Sequence, residues 1–320
     1  MSPTGTVRKP ARLRSGDTVG LVAPARAVAD PDDVRRAVAA LEAWGLRVRP
    51  GEHISDRDGY LAGRDEDRAA DLHAMWSDQA VRAIFCLGAG YGSGRLVRHL
   101  DRDVIAANPK PLCGYSDITA LHLAVHAWSH TITFYSIGAG DLAAVDTPGW
   151  SKDSLRRSLF SAEPFGEVGR ADDVEVRTIV GGVATGRLIG GCLPLVIASI
   201  GTPVDVRTDG GILVLEDAGD RPLQELERSL VHLRDAGKFE GLAGVVVSDL
   251  AGRPLGPFTD RSLDGVLRSL FEPLGVPAIA GLAIGHGRHH GTVPLGAVAT
   301  LDAERGRLVV DEPVTADPDA

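Results

Sequence analysis

Pro111-Leu112-Cys113-Gly114-Tyr115-Ser116-Asp117-Ile118-Thr119-Ala120 passes from a short apolar run, through a glycine-containing turn, into a helical pattern, with a serine at the corner. A strand that feeds straight into a helix is the repeating unit of α/β folds. At such a corner a side-chain oxygen projects over the sheet edge while the following backbone N–H groups open the helix toward it. Ser116 therefore reads in two ways. It is a nucleophile, or it merely caps the helix together with Asp117.

Outward from this corner the same alternation repeats. Residues 17–23 are an apolar run ending at Pro24, a first strand. Residues 31–44 place Val34, Val38, Leu41 and Trp44 at helical spacing and stop at Gly45. A second strand is expected at 46–49, a charged helix at 64–76, a third strand at 81–87 and a short helix at 94–100. The strand at 111–114 then leads into the helix at 117–129. This order implies a mostly parallel sheet with helices on both faces. Residues 146–173 turn polar, with Pro148 and Pro164, and read as a linker or surface excursion. Beyond them, strands are expected at 174–179, 212–215, 245–247 and 297–301, with one strong helix at 223–236. The expected organisation is a domain over 1–150, a linker over 151–174 and a smaller, strand-rich domain over 175–320. The last ten residues read as frayed.

Composition limits the function. The chain has 320 residues, 44% of them hydrophobic and 24% charged, as in a globular protein with sizeable cores. Its net charge of −9, with basic residues scattered along the chain, argues against nucleic acid or an anionic membrane as partner. Residues 1–12 lack the apolar centre of a secretory signal, and no run of about 18 apolar residues is present to span a bilayer. Cys86, Cys113 and Cys192 sit in apolar runs and make an odd count, which fits buried free thiols in a reducing cytoplasm.

Four further places carry possible chemistry. Gly88-Ala89-Gly90-Tyr91-Gly92-Ser93-Gly94-Arg95 fits neither a dinucleotide fingerprint nor a P-loop, but its backbone N–H groups can approach an anion closely. Ile212-Leu213-Val214-Leu215-Glu216-Asp217 ends an apolar strand in two carboxylates, one of which could orient an imidazole. Ile284-Gly285-His286-Gly287-Arg288-His289-His290 holds a histidine between glycines, as if the backbone there passed close to something. A zinc site of His286, His289 and His290 lacks any supporting ligand spacing. His122, His126 and His130 share one helical face without a carboxylate and read as partly exposed surface histidines. Ser116, Glu216 and His286 follow the order nucleophile, acid, base of α/β-hydrolases, although the G-x-S-x-G elbow of those enzymes needs a glycine where Ile118 stands.

With these residues in view, the chain resembles the LD-carboxypeptidase family of serine peptidases, which includes the microcin C immunity peptidases. The resemblance runs nearly end to end. It rests on Ala23-Pro24, Leu61-Ala62-Gly63-Arg64-Asp65, Gly90-Tyr91-Gly92, Gly114-Tyr115-Ser116-Asp117, Gly190-Gly191-Cys192-Leu193, Gly201-Thr202-Pro203, Leu215-Glu216-Asp217, Gly285-His286-Gly287 and Pro294-Leu295-Gly296. It implies a flavodoxin-like N-terminal domain carrying the nucleophile Ser116. A β-rich C-terminal domain of the swivelling β/β/α kind would carry the acid Glu216 and the base His286. Backbone N–H groups of Gly90 and Asp117 are the candidates for the oxyanion hole. The resemblance further implies release of a terminal D-amino acid from a muropeptide tetrapeptide in the cytoplasm, without cofactor or metal, by a homodimer.

Three departures from the family pattern fall around the expected pocket. Gly88-Ala89 stands where the carboxypeptidase branch has Arg-Gly, Ser136-Ile137 where it has Gly-Pro, and Leu223-Gln224 where aromatic and basic residues are common. Tyr91, Tyr115, Ser136 and Trp150 are the candidate substrate contacts. The immunity branch implies a second substrate class, an aminoacyl- or peptidyl-nucleotide conjugate, for which Trp150 would be the base platform. A binding protein without turnover is the reading from another class.

Overall fold

Strand Thr18–Val22 pairs in parallel with Arg47–Pro50 on one side and with Val81–Cys86 on the other. Leu112–Gly114 and Thr133–Tyr135 extend the sheet beyond Val81–Cys86, again in parallel. Numbered by appearance, the order is 2-1-3-4-5, the doubly wound order of flavodoxin-like sheets. The computed structural model in which this is seen describes residues 7–219, 221–248, 250 and 261–317.

The strand sequences explain their places. Ala83, Ile84, Phe85 and Cys86 are all fully buried, as a central parallel strand with helices on both faces requires. Arg47–Pro50 is largely exposed, and its arginines and proline suit an edge. On the far edge a sixth strand, Val293–Leu295, pairs antiparallel with Thr133–Tyr135. It arrives from the C-terminal half of the chain.

Among the described residues the second sheet has eight strands. Val183–Cys192, Gly211–Glu216, Gly244–Ser248 and Ala278–Leu282 run parallel at its centre. Arg177–Val180 closes one side antiparallel, and Val298–Asp302, Arg307–Val310 and Gly166–Glu167 extend the other. Helix Leu223–Asp235 packs on it through Leu223, Leu226, Leu230 and Leu233, one face at helical spacing. Among the described residues no helix is long and apolar enough to cross a membrane.

Several expectations change here. The polar stretch read as a linker holds a twelve-residue helix, Gly149–Phe160. Its inner face buries Leu155 and Leu159 beside Ser151, Ser154 and Ser158, and the serines disguise it. Ser151 and Ser154 accept the backbone N–H groups of His290 and Thr292 at 2.9 and 3.0 Å, so this helix supports the histidine loop. The short helix expected at 94–100 is only Ser93–Leu96, and a second helix, Arg102–Ala107, follows under the side-chain cap of Asp101. The chain end is not frayed over 311–317. Val314 and Thr315 are buried, and Ala316 exchanges backbone hydrogen bonds of 2.9 Å with Arg12 and Pro10. Residues 318–320 of that expectation, and residues 1–6 of the N-terminal one, lie outside the described residues.

Candidate active site

Strand Leu112–Gly114 ends beneath the corner, and Ser116 adopts φ 57°, one of two non-glycine residues with positive φ among the described residues. A left-handed backbone costs a side-chain-bearing residue about 1–2 kcal/mol, so its neighbours must enforce it. They do so from four directions. The Ser116 N–H donates to the Tyr135 hydroxyl at 2.9 Å, and the Ser116 carbonyl accepts from Thr119 Oγ1 at 2.7 Å. His122 Nε2 donates to the Gly114 carbonyl at 2.9 Å, and the Ser136 N–H reaches the same oxygen at 3.1 Å. Beyond the corner a 3-10 turn, Ser116–Ile118, opens helix Thr119–Ser129.

Glu216 ends the central strand Gly211–Glu216, and His286 lies in the loop after Ala278–Leu282. The second sheet thereby brings them to the corner. His286 Nε2 stands 3.0 Å from Ser116 Oγ across 170 residues, and His286 Nδ1 stands 2.7 Å from Glu216 Oε2. The same carboxylate oxygen accepts the His286 backbone N–H at 3.3 Å. Burial pushes the Glu216 carboxyl up, but hydrogen bonding and charge from His286, then bonds from Tyr135 and Cys192, outweigh it and hold the pKa below the usual value. An ionised Glu216 takes the Nδ1 proton as acceptor, which leaves Nε2 to accept the serine hydroxyl. Gly285 is what lets the two approach. It has φ +80°, and a Cβ there would lie 2.2 Å from Glu216 Oε2. Gly287 has no such neighbour, a Cβ there meeting only the His289 carbonyl at 3.7 Å.

The glycine turn is tied to the corner through Asp117. Its buried carboxylate accepts the Ser93 N–H at 2.7 Å and a backbone bond from Gly92, while its carbonyl accepts from Ser93 Oγ. Buried Arg68 holds the other side, donating to the carbonyls of Pro24 and Gly92 and pairing with Asp65. Asp117 thus acts as a tie through its side chain, in addition to standing next to the serine.

Tyr115 lies beside the imidazole, with ring centroids 5.1 Å from His286 and 4.5 Å from His290, and its hydroxyl bonds Asp141. Tyr91 is exposed and meets Tyr60 edge-on at 5.8 Å. Ser136 is fully buried, its Oγ on the Ile137 carbonyl, so it supports the corner from behind and offers no hydroxyl to a ligand. Trp150 packs edge-on against His289 at 5.7 Å and over Gly291.

The other histidines are placed differently from expectation. His122 is buried and holds Gly114, with burial lowering its pKa to about 4; His126 is lowered to about 4 by burial and by nearby positive charge. Of that trio His130 alone is exposed. His289 pairs with Asp173 at 2.8 Å, and His290 is buried with a pKa of about 3, so neither converges on His286. Among the described residues the one cluster of ligand atoms close enough for a metal is His53, Asp56 and Asp67. All three cysteines are buried and free. Tyr135, Asp141 and Arg68 escaped the sequence reading, because each acts through a contact remote in sequence.

A flavodoxin-like sheet joined to a second mixed sheet, with a corner serine facing a His–Glu pair between them, defines an enzyme of the serine peptidase class. Residues 19–136 match the LD-carboxypeptidase N-terminal domain and residues 185–301 the LD-carboxypeptidase C-terminal domain; the chain belongs to the LD-carboxypeptidase family. It is 36% identical over 309 residues to the probable murein peptide carboxypeptidase of Bacillus subtilis (strain 168), covering 96% of this chain and 95% of that one. It is 33% identical over 301 residues to the murein tetrapeptide carboxypeptidase of Pseudomonas aeruginosa, covering 90% and 94%. Among solved structures it is similar to an MccF-like protein from Bacillus anthracis, with TM-score 0.82 and 25% identity over 95% of this chain and 99% of that one.

Proposed function

We propose that the chain is an LD-carboxypeptidase that releases the terminal D-amino acid from a muropeptide tetrapeptide through a Ser116–His286–Glu216 triad. The observation that carries this reading is the continuous line of contacts, Ser116 Oγ to His286 Nε2 at 3.0 Å and His286 Nδ1 to Glu216 Oε2 at 2.7 Å. In this mechanism His286 takes the hydroxyl proton as Ser116 attacks the amide carbon, and Glu216 steadies the imidazolium. His286 then passes that proton to the departing amine, and water releases the acyl group from Ser116. Backbone N–H groups of Gly90 and Asp117 would receive the oxyanion, each worth about 3 kcal/mol of transition-state stabilisation. The expected assembly is a homodimer in the cytoplasm, which sedimentation at working concentration tests for the dimer.

The deciding experiment incubates the purified protein and its Ser116→Ala variant with an L,D-terminated tetrapeptide and with an aminoacyl sulfamoyl adenylate. D-Alanine released by the parent protein alone is the expected result. Cleavage of the adenylate and not the peptide would instead assign the chain to nucleotide conjugates, and cleavage of neither would sink both substrates.

A further inference from the structure

Arg26 follows the first strand and the turn at Pro24-Ala25, and its backbone bridges to Leu61. Its side chain runs along the glycine turn. The Arg26 Cδ and Cβ lie 3.0 and 3.1 Å from where a Cβ on Gly90 would stand, a space open only because residue 90 is glycine. Its Nε and Nη2 reach 3.8 and 4.0 Å from where a Cβ on Gly88 would stand. The guanidinium therefore borders the position from which a side chain at residue 88 would extend.

Two observations turn this placement toward a ligand. Arg26 has no ion-pair partner among the described residues, whereas Arg68 and Arg95 share Asp65 and Arg288 pairs with Asp173. The charge of Arg26 also acts on Asp141 and on the Tyr115 hydroxyl, the pair that borders His286. An unpaired guanidinium thus stands exposed where its charge reaches Asp141 and Tyr115, the neighbours of His286.

A carboxypeptidase must distinguish the last amide bond of a peptide from those before it. The feature unique to that bond is a carboxylate two bonds beyond the scissile nitrogen. A planar guanidinium binds such a group with two parallel hydrogen bonds and fixes its orientation.

We propose that Arg26 binds the C-terminal carboxylate of the substrate and so sets the enzyme's specificity for a chain end. This rests on the carboxypeptidase reading above, and the test separates the two. Binding is measured by calorimetry in the Ser116→Ala background, where turnover plays no part, with the L,D-tetrapeptide as free acid and as C-terminal amide. The expected preference for the acid is on the order of 10- to 100-fold. Arg26→Ala reduces acid binding to the level of the amide and leaves amide binding unchanged, and Arg26→Lys keeps part of the preference. Adding Gly88→Arg to Arg26→Ala restores it, because a side chain extended from position 88 starts beside the place the guanidinium vacates; a purely structural role for Arg26 would not be rescued this way.

Equal binding of acid and amide with Arg26 present, a preference that survives Arg26→Ala, or no binding of the acid at all would each overturn the proposal. If the parent protein fails to hydrolyse the peptide while the acid preference still depends on Arg26, the peptidase reading fails and the anion site stands. If hydrolysis proceeds and the preference ignores Arg26, only the role of Arg26 falls.

Discussion

The Tyr135 hydroxyl accepts the Ser116 N–H at 2.9 Å and donates its own proton to Glu216. One buried phenol thereby couples the corner of the first sheet to the acid of the second. Tyr135→Phe leaves the Ser116 amide without its acceptor and Glu216 short of a donor. The expected cost is about 1–3 kcal/mol of stability and, from a looser corner, roughly tenfold in kcat with KM little changed. The Glu216 pKa rises as the donor is lost, so the acidic limb of the kcat/KM profile moves to higher pH. A profile unchanged in position would show that the phenol does not steady the acid.

Strain at Ser116 predicts a trade between stability and activity. Glycine tolerates φ 57° where serine and alanine do not. Ser116→Gly should therefore abolish turnover yet exceed Ser116→Ala in stability by about 1 kcal/mol in denaturant melts. Equal stability of the two variants would mean that the left-handed backbone stores no strain.

The glycines on either side of His286 are not equivalent. Gly285→Ala would drive a methyl group into the Glu216 carboxylate at a position that also needs positive φ. Loss of several kcal/mol and of nearly all activity is expected from the combined clash and strain. Gly287→Ala meets only ordinary contact and should keep both within a factor of a few. Thermal unfolding and initial rates of the two variants, side by side, check this asymmetry.

Stability should decline from neutral pH toward pH 4. His122 and His126 have folded pKa values of about 4 and His290 of about 3, all set chiefly by burial. Each lies below its unfolded value near 6.5, so the unfolded chain binds more protons in between, and stability is full above that window and drains away as pH falls through it. Each histidine contributes up to about 1.4 kcal/mol per pH unit. Asp71, Asp117 and Asp141, raised by burial, act in the opposite sense, their contribution being lost as pH rises through their folded pKa. Replacing His290 with Asn should flatten the slope between pH 6 and 5 by about one proton, read from urea melts. An unaltered slope would mean that His290 titrates normally.

Local pattern exposed the elements with a strong apolar signature. Thr18–Val22, Val81–Cys86 and Gly211–Glu216 were legible because central parallel strands are apolar nearly throughout, Arg82 being the one charged residue inside them. The long strand Val183–Cys192 was not, since Thr185, Arg187 and three glycines interrupt it. Its glycines serve neighbours instead, as at Gly190, where a Cβ would lie 2.2 Å from the Val214 carbonyl. The helix at Gly149–Phe160 was hidden for a different reason. Its buried serines bond the His290 and Thr292 backbone, a demand set by residues over 130 positions away. The site divides along the same line. Ser116, Glu216 and His286 stood out as residue types at strand ends and between glycines, whereas Tyr135 and Arg26 are recognisable only through what folding brings beside them.

Strand Val293–Leu295 is three residues long, yet it is the last piece of the N-terminal sheet. During synthesis the edge at Thr133–Tyr135 stays unpaired until residues 293–295, more than 150 positions later, have left the ribosome. The serine corner leans on that edge through Tyr135. The nascent first half therefore emerges with an open β-edge and a serine corner short of its support, and the first sheet closes only once translation has delivered Val293–Leu295.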